Sequence, residues 1–419
     1  MSVADKIAPP GWMGEPDTAK LFDALKRAGH TLRFVGGCVR DIIAERPVTD
    51  IDVATDARPE QVLEALAAAM IRTIPTGIEH GTVTALPGKR RFEITTLRKD
   101  VETDGRRATV AFTDNWIEDA SRRDFTFNAL SADPDGKVYD YFGGIEDLRA
   151  GRVRFIGGAS ERIAEDYLRV MRFFRFQAHY GKMDPDPASL AACQAAATHV
   201  ETLSGERIWN EMSRTLAAPE PAPVFQMMED IGLLPLLLPA GRTLKRMDTL
   251  ASIEAMLSLE ADPIRRLAAL TQPDNGQLLE IATQLRLSRQ DTRRLQNVHS
   301  SRGEFRIGMD DIALRRALYA LRRERFLDLI LLDWANQIAI DVVDAAESVS
   351  AWRTIWNTAS AWKPPEFPIA GEDVLAMGVE AGPRVGEILA DIEEWWVENS
   401  FLPDREACLE KLRLFVSGC

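Results

Sequence analysis

Residues 32–55, LRFVGGCVRDIIAERPVTDIDVAT, constrain this chain more tightly than any other stretch. Leu32, Phe34 and Val35 make a short apolar run that ends on Gly36-Gly37, where a backbone must turn sharply or approach a ligand closely. After Pro47 the chain resumes as Asp50-Ile51-Asp52-Val53, which reads as a second strand. Side chains alternate faces along a strand, so the two carboxylates project to one side and Ile51 and Val53 to the other. Two hard oxygen ligands on one rigid face suit Mg²⁺. The functional reading is that Asp50 and Asp52 hold one or two Mg²⁺ against a nucleoside triphosphate, while free backbone N–H groups at Gly36 and Gly37 cradle its phosphates. A lone Asp-x-Asp more often caps a strand or faces solvent. What favours the metal is the ordered combination of strand, Gly-Gly, arginine at Arg40 and then the aspartate pair.

Two later segments continue the pattern. Arg122-Arg123-Asp124-Phe125-Thr126-x-Asn128-Ala129 sets charges among aromatics, so it must be half buried, with Arg123 aimed at phosphates and Asp124 orienting it. Glu165-Asp166-x-x-Arg169-x-x-Arg172-x-x-Arg175-Phe176 lies in a helical stretch whose Ile163, Tyr167, Val170, Met171, Phe174 and Ala178 form one apolar stripe. On a helical wheel Asp166, Arg169, Arg172 and Arg175 share the opposite side. For most helices that side would simply face solvent. Here an aspartate one turn from an arginine offers an acceptor and a donor in fixed relation. Cytosine presents an amine beside the acceptor N3, and adenine an amine beside N1. One Asp and one Arg therefore suit both, while uracil and guanine set a carbonyl oxygen where the aspartate needs a donor.

Taken in order, these three motifs resemble those of class II tRNA nucleotidyltransferases, the CCA-adding enzymes and bacterial poly(A) polymerases of the polymerase β-like superfamily. The resemblance covers about the first 220 residues. It implies an α/β nucleotidyltransferase head (a mixed sheet with flanking helices) over residues 1–150, then an all-α neck over 151–218, body over 219–300 and tail over 301–419. It implies addition of C, C and A to the tRNA 3′ end from CTP and ATP without a nucleic-acid template, by two-metal in-line transfer that releases pyrophosphate. Asp50 and Asp52 would be the metal ligands, Gly36, Gly37, Arg40 and Arg123 the triphosphate contacts, and Asp166, Arg169, Arg172 and Arg175 the nucleotide-reading side. A poly(A) polymerase and a CC- or A-adding specialist remain alternatives on the same scaffold. From another class, a non-catalytic RNA-binding protein with a dead head is disfavoured by the intact Asp-x-Asp.

The rest of the head reads as alternating segments. Residues 59–70 suit an amphipathic helix begun by proline, and 71–74, 82–86 and 91–98 suit strands. Glu93 in the last of these is a candidate third carboxylate beside Asp50 and Asp52, the other reading being a cross-strand partner of a basic residue. Residues 99–115 are polar and contain glycine, so they read as a mobile loop. In the resembling family a flexible loop here helps the site change from C to A. Residues 116–132 resume helical spacing, and 139–148 close the head with a strand and a turn.

A net charge of −13 argues against a nucleic-acid partner, yet local strips differ: seven arginines face three acids over residues 149–175, and ten face five over 289–325. Four scattered cysteines have neither metal-ligand nor disulfide spacing, which suits a reducing cytoplasm. The opening MSVADKIAPPGWM lacks a basic segment followed by an apolar one, so no signal peptide is expected from it, and no apolar run is long enough to span a membrane. The five histidines include no His-Asp dyad, so an appended phosphohydrolase is not indicated. Trp352, Trp356, Trp362, Trp395 and Trp396 fall at helical spacings that suit a core, with stacking on RNA the alternative. The expected partners are the tRNA 3′ end, CTP and ATP, with Mg²⁺ as cofactor and the oligomeric state open.

Overall fold

The computed structural model describes residues 6–74, 77, 81–104, 107–239, 241–272, 274–300, 309–321, 323–340 and 345–417. The chain divides into two compact units, residues 1–239 with 280–287, and residues 240–279 with 288–419.

The first unit opens with α1 (Pro16–Arg27), whose proline occupies the first turn, where its missing N–H has no intrahelical acceptor to lose. Then come β1 (Leu32–Val35), α2 (Gly37–Ile43), β2 (Asp52–Thr55), α3 (Pro59–Ala68), β3 (Arg72–Ile74), β4 (Thr82–Leu86) and β5 (Phe92–Thr96). After a hairpin of β6 (Arg98–Asp104) and β7 (Arg107–Phe112), the head finishes with α4 (Trp116–Ser121), β8 (Ser131–Ala132), β9 (Val138–Tyr139) and α5 (Gly144–Ala150). Seven strands make one sheet in the order β3-β4-β5-β2-β1-β8-β9. It is mixed, because β1 runs antiparallel to β2 whereas β2 runs parallel to β5. Central strands are apolar on both faces. Val53, Ala54, Phe34 and Ile94 are accordingly buried there.

Two expectations for the head are corrected. Residues 99–115 are not a structureless loop, since β6 and β7 pair as an antiparallel hairpin with a bulge between Asp100 and Glu102. Val101, Thr103, Thr109 and Val110 supply β-branched content that the polar composition masked. Nor are residues 116–132 one helix. After α4 the chain takes an isolated bridge at Phe125, a 3-10 turn at Thr126–Asn128 and then β8.

Helices follow: α6 (Ala159–Glu165), α7 (Leu168–Tyr180), α8 (Pro187–Ala195), α9 (Gly205–Leu216), α10 (Ala222–Asp230) and α11 (Leu233–Leu237). The stripe from Ile163 to Ala178 is thus split. Asp166 sits in the break with φ −157° and ψ 108°, and its Oδ1 accepts the Leu168 N–H at 3.1 Å. A short carboxylate that caps the next helix competes with continuing the previous one. The far side of α7 is not a solvated face either: Arg175, Phe176 and Gln177 are buried alongside the predicted stripe. Phe176 meets Phe125 and Phe127 at centroid separations of 5.2 and 5.5 Å, tying α7 to the head.

The second unit is helical apart from a two-residue pairing of β10 (Gly241–Arg242) with β11 (Thr271–Gln272). Its helices are α12 (Leu244–Met256), α13 (Pro263–Leu270), α14 (Asn275–Gln284), α15 (Arg289–Ser300), α16 (Asp311–Leu321), α17 (Arg323–Ile340), α18 (Ala345–Ala361), α19 (Gly371–Leu375), α20 (Pro383–Glu398) and α21 (Arg405–Ser417). The last turn of α14 falls in the first unit. Trp334 and Trp352 stack at 6.4 Å in one core, and Trp396 anchors a second with Tyr319, Phe367 and Phe401. Trp352 and Trp396 are therefore core, while Trp356, Trp362 and Trp395 are half-buried. Among the described residues no helix is long and apolar enough to cross a membrane.

Candidate active site

Gly36 ends β1 with φ +67° and ψ −123°, a conformation that favours glycine. A Cβ there would lie 2.9 Å from an Arg123 guanidinium nitrogen, so the missing side chain also lets Arg123 settle onto the turn. One part of the sequence reading is corrected. The Gly36 N–H is not free for phosphate, because it donates to the Leu130 carbonyl at 3.0 Å. Gly37 stands in the first turn of α2, ahead of the Arg40 N–H that closes on the Gly36 carbonyl. Arg40 is held rigidly: its guanidinium donates to both Asp41 oxygens at 3.0 Å and to Asn128 Oδ1 at 2.7 Å, and lies 4.6 Å over the Tyr180 ring.

The carboxylates gather on the neighbouring strands. Asp52 begins β2, and the parallel register sets it directly across from Glu93 of β5. Asp50 lies two residues before the strand, exposed, rather than within it as the alternation reading had it. Glu93 also accepts from Arg91 at 2.6 Å, so both readings of that residue describe contacts it makes. Burial, then Glu93, then Asp50 push the Asp52 carboxyl above its ordinary value, with Arg123 opposing them. Acceptor-only oxygens on neighbouring central strands, crowding the Asp52 carboxyl, fit a divalent cation. Among the described residues no three His, Cys, Asp or Glu side chains form a self-sufficient cage.

Arg123 leans on Asp119 rather than Asp124. Asp119, at the end of α4 and nearly fully buried, accepts Arg123 at 3.3 Å, Arg122 at 2.8 Å and the Arg98 N–H at 3.2 Å. Burial works to raise its pKa, but Arg123 and Arg122 outweigh burial and hold it below the ordinary carboxylate value. The base of the β6–β7 hairpin and Arg123 thus share one anchor. Asp124 serves instead as a buried hub, accepting the Phe125 N–H at 2.8 Å, Asn128 Nδ2 at 2.9 Å and Arg172 Nε at 2.6 Å. Burial pushes it up, and Arg172 and Asn128 more than reverse the push.

Along α7 the predicted polar residues are paired turn by turn with α9. Arg207 donates to Asp166 Oδ2 at 2.7 Å, and one turn later Glu211 meets Arg175 at 3.0 Å and Arg172 at 3.8 Å. Desolvation lowers the Arg175 pKa to about 10 against the pull of Glu211. Arg169 turns back to Glu165 and to the Arg162 carbonyl, so it does not pair with Asp166 here.

These side chains surround one cavity of about 970 Å³ within the first unit. Gly36, Gly37, Arg40, Asp52, Arg123, Asp166, Arg169, Arg172 and Arg175 line it, whereas Asp50 and Glu93 stand outside its wall. Nine arginines and three aspartates line it in all, a strong positive excess within a chain of net charge −13. Its size is in the range of small-molecule sites, and arginine forks match phosphate oxygens. Sequence reasoning missed Arg207, Asp119 and Arg214. A signal for the first was present: Arg207 and Glu211 stand at i and i+4, complementing the charges of α7.

Known proteins are similar to this chain in sequence and fold. Residues 32–154 match the family described as Poly A polymerase head domain, and residues 182–244 match the one described as probable RNA and SrmB-binding site of polymerase A. The human mitochondrial CCA tRNA nucleotidyltransferase 1 is 32% identical over 400 residues, covering 94% of this chain and 89% of that protein. The CCA-adding enzyme of Streptococcus sanguinis is 31% identical over 397 residues, with coverage of 92% and 94%. Among solved structures, the Bacillus stearothermophilus CCA-adding enzyme in complex with CTP superposes with a TM-score of 0.73 at 27% identity, covering 97% of this chain and all of that one.

Proposed function

The chain belongs to the family of CCA-adding tRNA nucleotidyltransferases, and from that premise we propose that the arginine-lined cavity is where C, C and A are added to a tRNA 3′ end from CTP and ATP. One observation supports the reading: Asp52, set across from Glu93, and Asp166, in the break between α6 and α7, line the same cavity. Reaction and selection therefore need no second site.

Asp50 and Asp52 would hold Mg²⁺, with Glu93 alongside. When bound, such a cation lowers the charge barrier to nucleophilic attack on the α-phosphorus and to departure of pyrophosphate. The chain's own residues supply the rest. Arg40, locked by Asp41 and Asn128, and Arg123, backed by Asp119, present fixed donors to the triphosphate. Asp166 accepts the exocyclic amine shared by cytosine and adenine, and Arg169 donates to the adjoining ring nitrogen. Arg172 and Arg175, fixed by Asp124 and Glu211, add charge without reading the base. We assign residues 1–150 to the head, 151–218 to the neck, 219–300 to the body and 301–419 to the tail, the helical parts gripping tRNA. Buried, unpaired Cys38, Cys193 and Cys408 fit a reducing compartment such as the cytoplasm.

The test is incorporation into a tRNA transcript lacking its CCA end, with single nucleotides omitted. CTP alone should extend the transcript by two residues, and CTP with ATP by three. With ATP alone, a transcript already ending in CC should gain one residue and stop. Open-ended extension from ATP would identify a poly(A) polymerase, and absence of any extension a non-catalytic binder.

A further inference from the structure

We propose that Tyr180, the last residue of α7, is a positioning residue for the triphosphate: it clamps Arg40 and Asp41 of α2 into one rigid pair, so that Arg40 offers phosphate oxygens donors of fixed direction. The inference rests on Arg40 contacting the triphosphate. Sequence neighbours on a helix point about 100° apart and do not face each other. Arg40 and Asp41 nevertheless pair through two bonds of 3.0 Å, from Nε to Oδ1 and from Nη2 to Oδ2. The helix alone does not account for that geometry. Tyr180 touches both partners: its hydroxyl donates to Asp41 Oδ1 at 2.6 Å, and the Arg40 guanidinium lies 4.6 Å over its ring. A charge-assisted bond of that length is a strong restraint. Burial and the Asp41 carboxylate raise the Tyr180 pKa above its ordinary value against the pull of Arg40, so the hydroxyl keeps its proton and remains a donor.

Tyr180 is itself fixed from several sides. Its ring centroid lies 5.9 Å from those of both Phe127 and Phe176, and the Arg46 guanidinium, from the loop after α2, lies 4.3 Å over it. Just beyond, the Lys182 N–H donates to the Gly151 carbonyl at 3.1 Å, which ties the end of α7 to the end of α5. An arginine carries five N–H donors. Asp41 takes two of those on Arg40 and Asn128 Oδ1 a third, at 2.7 Å, which leaves one on Nη1 and one on Nη2. These two are what Arg40 has to give a phosphate, and Nη2 already stands beside the glycine turn, 3.6 Å from where a Cβ on Gly37 would lie. Without the tyrosine hydroxyl the Arg40–Asp41 pair is free to swing about its remaining polar tie, to Asn128, and the two donors lose their common direction.

The experiment compares Tyr180→Phe, Arg40→Ala and the double variant by KM and kcat for CTP and ATP, by inhibition with inorganic pyrophosphate, and by the ratio of kcat/KM for CTP to that for UTP. Tyr180→Phe deletes one oxygen and keeps the ring against Phe127 and Phe176. It should raise KM for CTP and for ATP about fivefold, the worth of one ordinary hydrogen bond, and weaken pyrophosphate inhibition by a similar factor. Turnover should stay within about twofold, since a contact kept from binding through transfer is uniform binding. The CTP-to-UTP ratio should not move, because the base is not touched. In the Arg40→Ala background the tyrosine change should add nothing, the group it positions being gone. If Arg40→Ala weakens CTP and pyrophosphate while Tyr180→Phe alters neither, this inference is wrong and the triphosphate role of Arg40 stands. A Tyr180→Phe effect that lowers the CTP-to-UTP ratio, or that persists undiminished without Arg40, makes the tyrosine a general prop of the cavity and overturns the inference as well. If Arg40→Ala itself leaves pyrophosphate inhibition unchanged, the role of Arg40 falls and the inference with it.

Discussion

The two units each contain a dense network of arginines and carboxylates, and the networks differ in balance. In the second unit Glu254 accepts Arg265 at 2.8 Å and Arg266 at 2.7 Å. Asp328 accepts Arg265 at 2.8 Å and Arg294 at 2.7 Å, and Asp262 meets Arg294 at 2.8 Å. Three acids answer three arginines across α12, α13, α15 and α17, and Glu254, Arg266 and Asp328 are buried. In the first unit nine arginines line an open cavity with three aspartates, and even with Asp41, Asp119, Glu165 and Glu211 paired to them from behind the wall the arginines outnumber the acids. A balanced buried network serves the fold, since its charges are satisfied from within. An unbalanced one around open space is short of negative charge, which a nucleoside triphosphate carries. The carboxylates beside the cavity show the converse. Burial, Glu93 and Asp50 push the Asp52 carboxyl up against the pull of Arg123, an excess of negative charge that a cation relieves.

Paired substitutions should separate the two kinds of network. Asp52→Ala should cut incorporation by roughly 10³-fold or more, the several kcal/mol expected of a lost metal ligand, without lowering the melting temperature. Its removal relieves a crowd of like charges in the free protein, so a small rise in melting temperature is the expected sign. Glu254→Ala should do the opposite. It takes a carboxylate from buried Arg266 and leaves Arg265 to Asp328, at a cost of about 3–5 kcal/mol of stability, while the folded fraction keeps its turnover. Thermal melts beside initial rates check both. An Asp52→Ala protein that unfolds easily, or a Glu254→Ala protein that is stable but inactive, would erase the distinction.

A smaller effect concerns pH. Asp119 and Asp124 beside the cavity and Asp262 in the other network are all held below the ordinary carboxylate value. A depressed carboxylate contributes stability that is present above its unfolded value, about 3.9, and is lost as pH falls through the folded one. Asp52, shifted upward, contributes with the reverse sign, because protonation relieves its repulsion. Stability measured by denaturant titration should therefore be nearly level from pH 7 to about 5 and fall below about 4. Asp124→Asn should shallow that fall. An unchanged acid limb in this variant would remove Asp124 from the set of groups responsible.

What the sequence made legible follows the range of the interactions. β1 and the Gly36 turn are set by local pattern and formed where the apolar run and the glycines put them, whereas the strand bearing Asp52 starts two residues later than the alternation had it and leaves Asp50 outside. The stretches that misled were those decided by distant partners. The hairpin of residues 98–112 looked like a loop because polar side chains hide a β-branched period, and its base is secured by Asp119 in α4. On a wheel Asp166 and Arg169 looked like one acceptor-donor pair, but a wheel carries no information about Arg207 of α9, which holds Asp166, and Arg169 turns to Glu165 instead. For the same reason the partner of Arg123 was assigned to the adjacent Asp124 rather than to Asp119 four residues before it. Most residues singled out from the sequence line the cavity, Asp50 and Glu93 excepted, while the pairing between them is a property of the packed chain.

The central claim, that protein side chains alone choose the base, is tested most directly by one ratio. Efficiencies for CTP and UTP should be compared in Asp166→Ala and Arg172→Ala, which stand one helix turn and a half apart beside the same cavity. A base contact carries roughly 1–3 kcal/mol, so Asp166→Ala should lower the CTP-to-UTP ratio by about one to two orders of magnitude. Arg172→Ala, removing charge that is tied to Asp124 and Glu211, should weaken both nucleotides and leave the ratio near that of the unaltered protein. An Asp166→Ala enzyme that loses activity but keeps its preference for CTP would contradict the account.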